Sequence, residues 1–233
     1  MANGHDKHDA SNAAQVANYT IADAARWLRL PVSTTRAWTL GQSQGARGRR
    51  AFQAVITAAD AERGLLSFAN LCELHVLASI RRQHGVTLQT VRKACTYLRR
   101  ELGRRDPLLS PDMLTDGKDL FVEKLGTLVN VSRQGQTEMK TLLEAYLKRI
   151  ERDRVGAPVR LYPFSSETTR SSPKSIVIDP RIQFGKPCVA GAWVPTRIIA
   201  ERFRANETIA SIAYDYGIPV QKIEDALRYE MAA

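Results

Sequence analysis

Apolar and polar residues alternate with helical spacing near the start of the chain and predict a helix-turn-helix. Thr20 lies three residues before Asp23, the pattern of a capping box, and an apolar helix face follows directly. Pro31 interrupts this first helix, and Ser33 is predicted to cap a second helix that runs through Trp38. Two short helices with a tight break between them are typical of a helix-turn-helix.

A similar pattern returns near the other end of the chain. Helices are predicted over 208–216 and 220–229, and Gly217-Ile218-Pro219 supplies the turn between them. Pro195-Thr196 is predicted to open a further helix just before this pair. The chain therefore carries two helix-turn-helix segments.

The remaining residues are predicted to form longer helices and short strands. Helices are expected over 67–84, 87–100 and 136–154, where apolar residues repeat every three or four positions. Strands are expected at 52–56, 65–68, 120–124, 127–132, 175–179 and 188–189. The fold class is therefore mainly α with small β elements: an N-terminal winged helix-turn-helix domain, and a small C-terminal domain with short strands and the second helix pair.

Composition changes along the chain suggest five regions. We predict a disordered tail (1–18), the winged domain (19–105), a strand pair with an amphipathic helix (106–153), a proline- and glycine-rich linker (154–174) and the C-terminal domain (175–233). The apolar stripe of the 136–154 helix fits either core packing or a dimer seam. Core packing is favoured because most apolar helix faces are core.

Charge distinguishes the two helix-turn-helix segments. Residues 20–105 hold 15 lysine and arginine residues against five acidic ones, which accounts for the whole formal charge of +10. Residues 175–233 hold seven of each. The first segment is therefore suited to a polyanion such as DNA, and its counterpart is not.

The first segment supplies candidate DNA-binding side chains. A helix that enters the major groove needs polar groups on its face and cations that meet phosphates on either side. The candidates on the second helix are Ser33, Thr34, Thr35, Arg36 and Thr39, and those on the basic wing that follows are Arg47, Arg49 and Arg50. The alternative is a solvated basic surface on an ordinary helical hairpin.

Several other classes of protein find little support in the sequence. The chain lacks a run of about 18 apolar residues that could span a membrane, and its N-terminus is polar, unlike a secretory signal. The three cysteines are far apart and lack metal-ligand spacing, which suggests a reducing cytoplasm. Neither a catalytic motif nor a cofactor site is recognisable.

Residues 24–38, A-A-R-W-L-R-L-P-V-S-T-T-R-A-W, and 81–94, R-R-Q-H-G-V-T-L-Q-T-V-R-K-A, resemble the MerR-type winged helix domain. The resemblance covers roughly 19–100 and implies DNA binding. Arg29 stands where such proteins often have a turn glycine, and we assign it a phosphate contact. The effector domain and metal-binding cysteines of MerR regulators are not recognisable, so ligand sensing is not implied.

Residues 176–196, I-V-I-D-P-R-I-Q-F-G-K-P-C-V-A-G-A-W-V-P-T, and 207–229, E-T-I-A-S-I-A-Y-D-Y-G-I-P-V-Q-K-I-E-D-A-L-R-Y, resemble the antitoxin-like domain of unknown function 433. The combination with a MerR-like head resembles the larger mycobacterial-type VapB antitoxins. This resemblance implies a PIN-like ribonuclease toxin of the VapC type as partner. The candidate toxin-binding residues are Arg181, Lys186, Trp193, Arg197, Arg202 and Arg204.

The leading hypothesis is a homodimeric antitoxin that neutralises this toxin and represses its own operon by binding operator DNA. A stand-alone MerR-like regulator without a toxin is the main alternative. A nucleic-acid-processing enzyme is a third, and metal-dependent cleavage by the pure protein would reveal it.

Overall fold

The computed structural model describes residues 13–41, 53–81, 86–103, 107–129, 132–164 and 173–231. Within these ranges, none of the helices has both the length and the apolar character needed to cross a membrane. Residues 13–18 of the predicted tail belong to the fold, since Ala14 is buried and the Asn18 amide donates to the Leu66 carbonyl oxygen at 2.9 Å. The tail boundary predicted at residue 18 was therefore placed too late.

The first helix-turn-helix is present and begins as predicted. Helix α1 (Ile21–Leu28) is capped by the Thr20 hydroxyl, which accepts from the Asp23 amide at 3.0 Å. Helix α2 (Val32–Thr39) follows after a short turn. Ser33 is not its cap: Pro31 occupies the N-cap position, and the fixed φ of proline (here −59°) allows the helix to start two residues earlier.

A small sheet closes this domain, but the predicted wing strand 52–56 is wrong over its described part. Strand β1 (Tyr19–Thr20) pairs antiparallel with β2 (Leu65–Leu66), which confirms the strand expected at 65–68 in shorter form. Val55 and Ile56 instead donate their amides to the Trp38 carbonyl oxygen at 2.8 and 2.9 Å. Their side chains are buried in the core. The apolar residues of this segment therefore reflect core packing without a strand.

Two longer helices follow, as predicted. Helix α3 (Phe68–Arg81) runs through the centre of the molecule, and most of its side chains are buried. Helix α4 (Leu88–Leu102) is capped by Thr87, whose hydroxyl accepts from the Thr90 amide. The buried residues of α4 are Val91, Ala94, Cys95 and Leu98, the stripe expected from the sequence.

The strand pair predicted at 120–124 and 127–132 is wrong, because this region forms helix α5 (Asp116–Val129). Its buried residues are Gly117, Phe121, Val122, Leu125 and Gly126, which recur with helical spacing. Gly126 falls in the gap between these two predicted strands. A Cβ at this position would lie 2.6 Å from the side chain of Gln136, so the glycine permits close helix packing and does not mark a turn.

Helix α6 (Arg133–Leu147) is shorter than the helix predicted over 136–154. Its apolar stripe packs against α3 and α5, and Met139, Leu143 and Tyr146 are buried within one chain. The stripe is therefore core and not a dimer seam. After Leu147 the chain turns into strand β3 (Ile150–Arg152).

The predicted linker 154–174 is only partly a linker. Strand β4 (Pro158–Leu161) pairs antiparallel with β3, and Leu161 also bridges to Ile178 in the next domain. Leu161 and Phe164 are buried. Proline and glycine led to the linker interpretation, yet the apolar residues between them pack into the core.

The C-terminal domain follows the prediction closely. Strands β5 (Ile176–Val177) and β6 (Cys188–Val189) pair antiparallel; β5 is shorter than the predicted 175–179, and β6 has the predicted bounds. The three helices are α7 (Thr196–Arg204), α8 (Ile209–Tyr216) and α9 (Val220–Met231). Gly217 ends α8 in the left-handed conformation, with φ of 59°, which makes the tight turn into α9 possible.

The two helix-turn-helix segments pack against each other. The buried Tyr229 hydroxyl at the end of α9 donates to the Trp27 carbonyl oxygen of α1 at 2.9 Å. The Asn18 side-chain amide donates to the Phe184 carbonyl oxygen at 3.1 Å. Buried side chains from Tyr19 to Tyr229 form one continuous core. The first segment is therefore held in a fixed orientation by the last helix.

Candidate nucleic-acid interface and the C-terminal surface

One face of α2 is open to solvent and carries three of the predicted contacts. Ser33 and Arg36 are exposed one turn apart, Val32 lies beside them, and Thr34 is half-buried. A short helix presented this way, second in a helix-turn-helix, has the geometry of a recognition helix. The structure thus brings Ser33, Thr34 and Arg36 together.

The predicted DNA contacts of Thr35 and Thr39 are wrong. Both residues are buried, and each hydroxyl bonds within its own helix: Thr35 donates to the Pro31 carbonyl oxygen at 3.2 Å, and Thr39 donates to the Thr35 carbonyl oxygen at 2.9 Å. They lie on the core-facing side of α2 with Trp38. These two hydroxyls satisfy the helix backbone and are not available to base edges.

A groove of about 330 Å³ runs beside the exposed face of α2. Val32 and Arg36 line one side, and the tight turn 61–64 lines the other. Arg63 lies in this turn with a side chain 80% exposed. Arg63 is not among the DNA contacts predicted from the sequence. The glycine at position 64 is the sequence signal that indicates a turn beside Arg63. Gly64 has φ of 67° and supports a tight turn between the bridge partners Asp60 and Leu65.

The other predicted DNA contacts lie elsewhere. Arg47, Arg49 and Arg50 fall outside the described residues. Arg29 caps α1 in the left-handed conformation at φ of 54°, where a glycine had been expected. Its Nη2 donates to the Arg228 carbonyl oxygen at 3.3 Å, so this guanidinium faces the C-terminal helix.

Some arginines counted in the positive charge of the first segment bond to the protein's own backbone. Arg92 of α4 donates from Nε to the Gln53 carbonyl oxygen at 2.7 Å, and Arg99 donates to the Val55 carbonyl oxygen. Burial lowers the pKa of Arg92 from its ordinary value. Both arginines hold the irregular 53–56 segment against α4. The charge count therefore overstates the number of cations that face DNA.

Two of the predicted toxin contacts are engaged in internal ion pairs. Arg181 binds the buried carboxylate of Asp179 through Nε and Nη2, at 2.9 and 2.8 Å. Burial raises the pKa of Asp179, but hydrogen bonds from Arg181 and Arg160 outweigh it and leave the pKa below its ordinary value. Arg202 is bonded to Glu207 and Asp215. These arginines stabilise turns of the domain.

The other predicted toxin contacts are more accessible. Lys186 and Arg204 are exposed, and Arg197 is exposed while paired with Glu201 at 2.7 Å on the surface of α7. Trp193 is half-buried, with the Arg160 guanidinium 5.4 Å from its ring centre. These four residues are available for a surface contact.

The residues that could carry chemistry are packed into the core. His75 packs against the rings of Tyr146 and Phe164, at 4.7 and 5.7 Å between centres, and these two rings lie 4.6 Å from each other. Burial raises the pKa of the Cys95 thiol to about 12 and that of the Cys188 thiol to about 11. Among the described residues, no three histidine, cysteine or acidic side chains are grouped so as to hold a metal ion.

Two family models match the chain at its two helix-turn-helix segments. The model described as "Putative DNA-binding HTH domain" matches residues 17–95. The model described as "Protein of unknown function (DUF433)" matches residues 176–229. Together with the exposed face of α2, these matches define a protein of the DNA-binding helix-turn-helix class.

Full-length relatives give the family. The chain is 30% identical to the protein named "Putative antitoxin VapB45" of Mycobacterium tuberculosis, over 90% of this chain and 92% of that one. It is 27% identical to the uncharacterized protein Rv2308 of the same organism, over 91% and 89%. The crystal structure of Rv2018 from Mycobacterium tuberculosis superposes with a TM-score of 0.66 at 26% identity, over 91% and 98%. The chain belongs to the VapB45 antitoxin family.

Proposed function

We propose that the protein is the antitoxin of a type II toxin-antitoxin system in the cytoplasm. Its first helix-turn-helix binds operator DNA near its own promoter, and its C-terminal domain binds and neutralises a PIN-like ribonuclease toxin of the VapC type. A homodimer would present two recognition helices to two half-sites of the operator. No cofactor or catalytic residue is needed for this role.

The exposed face of α2 is the observation that carries the DNA part of the proposal. Val32, Ser33 and Arg36 are exposed together on a short helix, beside a groove closed by Arg63. The polar groups suit base edges, and the two arginines are placed on opposite sides of the groove for phosphates. Arg47, Arg49 and Arg50 remain proposed wing contacts.

Family membership and the charge of the accessible residues support the toxin part. Lys186 and Arg204 are exposed cations of this domain, and Arg197 is exposed although it pairs with Glu201 at 2.7 Å. Cations are the groups that would meet the acidic, metal-binding site of a ribonuclease or take the place of metal there. This contact is local, because the domain has no net charge.

Replacing Arg36 with alanine is expected to weaken operator binding by roughly tenfold. If the side chain contacts a phosphate, the slope of log K against log salt concentration should fall by about one. Fluorescence anisotropy with operator DNA at several salt concentrations measures both quantities. Arg204→Ala is the matched control, since Arg204 is equally exposed but lies on α7 in the C-terminal domain.

An unchanged affinity and salt slope in Arg36→Ala would remove α2 from the interface. Equal losses in Arg36→Ala and Arg204→Ala would show that only overall charge matters. Both results would leave the family assignment intact while contradicting the proposed recognition helix.

The toxin partner is tested by co-expression with the neighbouring reading frame. We expect a ribonuclease that carries scattered acidic residues to co-purify with the chain and to lose activity in the complex. A neighbourhood without such a gene would favour the stand-alone regulator. Metal-dependent RNA or DNA cleavage by the pure chain would favour the enzyme instead.

A further inference from the structure

A cleft lies where the two helix-turn-helix segments meet, and both contribute to its walls. Tyr19, Arg26 and Trp27 line the N-terminal wall, and Phe184 and Lys186 line the C-terminal wall. Its volume is about 190 Å³. Small-molecule sites typically enclose about 300–1,000 Å³, so the cleft is sized for a single side chain of another protein.

Two residues that line this cleft carry buried hydrogen-bond donors without a partner among the described residues. The Tyr19 hydroxyl and the indole Nε1 of Trp27 have no acceptor within hydrogen-bond distance in the part of the chain that the structure describes. The two residues are only 2% and 6% exposed. Buried polar groups in folded proteins are nearly always paired. Two unpaired donors at one cleft therefore indicate an acceptor supplied by a ligand.

The opposite wall presents a large aromatic ring on strained backbone. Phe184 is 81% exposed, and both it and Gln183 have left-handed backbones, with φ of 55° and 49°. Such conformations are costly for residues other than glycine and are concentrated at binding sites. The Asn18 side chain bonds to the Phe184 carbonyl and holds this turn. The fold thus fixes an apolar anchor beside the two donors.

Cations surround the mouth of the cleft. Arg26 and Arg197 have side chains 41% and 71% exposed, and the exposed Lys186 also lines the cleft. Two acidic side chains also line the cleft: Glu230 is 6% exposed and lies 3.8 Å from Arg26, and the half-buried Asp23 accepts from the Thr20 hydroxyl at 2.7 Å. An approaching carboxylate therefore meets cations first and buried donors beyond them.

We propose that this cleft is a docking site for an acidic side chain of the partner protein, with Phe184 as the apolar anchor beside it. The inference rests on the proposed function, because it locates the contact point of the same protein partner. A carboxylate accepts from Tyr19 and Trp27, and Lys186 supplies the countercharge. Buried aromatic and cationic residues of this kind dominate the affinity of protein interfaces.

Phe184→Ala tests the anchor in the full-length chain. We expect its affinity for the co-expressed ribonuclease to fall by at least about tenfold, measured by biolayer interferometry. Tyr214→Ala is the matched control, because Tyr214 is an aromatic residue 88% exposed on α8 and does not line the cleft. Its affinity should stay within about twofold of the unaltered chain.

Tyr19→Phe tests the donors without disturbing the packing of the ring. Removal of an unpaired buried hydroxyl should leave the melting temperature unchanged or raised, while ribonuclease affinity falls about threefold or more. Lys186→Glu should weaken binding by about tenfold through charge reversal, and Lys148→Glu, an exposed lysine outside the cleft, should not.

Three outcomes decide the proposal. Normal ribonuclease binding by both Phe184→Ala and Lys186→Glu would place the contact elsewhere and overturn the docking site while sparing the proposed function. Lack of ribonuclease binding by the unaltered chain would refute the proposed function itself. Self-association of the chain alone that Phe184→Ala abolishes would identify a second copy as the occupant and would also overturn the site.

Discussion

Replacing Gly185 with alanine is expected to lower the free energy of unfolding by about 2 to 5 kcal/mol. Gly185 has φ of 70°, a left-handed conformation that disfavours any side chain. A Cβ at this position would also lie 2.0 Å from the Tyr19 hydroxyl oxygen and 2.8 Å from its ring. Tyr19 is buried between the two domains and has little room to move. The clash therefore acts on the contact between them.

Gly217→Ala separates the two causes of this loss. Gly217 also has a left-handed backbone, with φ of 59°, but a Cβ there would meet nothing within 4 Å. We expect it to cost only the backbone term of about 1 kcal/mol. Urea denaturation of both variants, with similar m-values, measures the difference. Equal losses in the two variants would show that Tyr19 yields easily and that the domain contact is soft.

Arg149→Ala is expected to destabilise the protein by about 3 kcal/mol. This arginine is buried and donates to the carbonyl oxygens of Tyr162, Pro163 and Pro173, at 2.5, 3.1 and 3.0 Å. Its guanidinium also stacks 4.3 Å from the ring centre of Phe164. Burial lowers its pKa to about 10, so the side chain remains charged at neutral pH. Alanine would leave three carbonyl groups without their shared donor.

Two further variants define the role of Arg149. Arg149→Lys keeps the charge, but its single ammonium cannot reproduce the planar fork, so most of the loss should persist. Arg133→Ala, at the exposed start of α6, should change the free energy of unfolding by less than about 0.5 kcal/mol. Chemical denaturation compares the three. A loss below about 1 kcal/mol in Arg149→Ala would show that water replaces the guanidinium at the carbonyls.

Local signals in the sequence predicted most of the helices. Thr20 caps its helix as expected, and Thr87 caps α4 in the same way, because capping depends on residues three positions apart. The stripe of α4 was also predicted, since helical spacing alone determines which of its side chains face the core. The second helix-turn-helix was found from Gly217, whose left-handed backbone ends α8.

The errors have a common physical origin in contacts distant along the chain. Position 126 requires a glycine because the Gln136 side chain packs directly against it. A single sequence does not reveal which residue lies opposite a glycine. Leu161 joins the core by pairing with Ile178, which turned a composition typical of a linker into a strand. In both cases, tertiary packing overrode the local preference.

The candidate interface was only partly predictable, because part of it also depends on contacts distant along the chain. Helical periodicity could have separated exposed Arg36 from buried Thr35 and Thr39, since all three lie on one short helix. The groove with Arg63 depends on how the 60–65 turn folds back toward α2, which spacing along the chain does not specify. The cleft around Phe184 joins residues more than 150 positions apart and has no local signal.

The bond from Tyr229 to Trp27 constrains how this protein can be recombined with others. The two ends of the chain match separate family models, so each could in principle be joined to a different partner domain by recombination. Because the acceptor is a main-chain carbonyl, a foreign N-terminal half would have to place its backbone there as Trp27 does, and it would have to leave room at Gly185. Hybrids that preserve this backbone placement should fold, whereas hybrids that displace the carbonyl would leave the Tyr229 hydroxyl unsatisfied in the core.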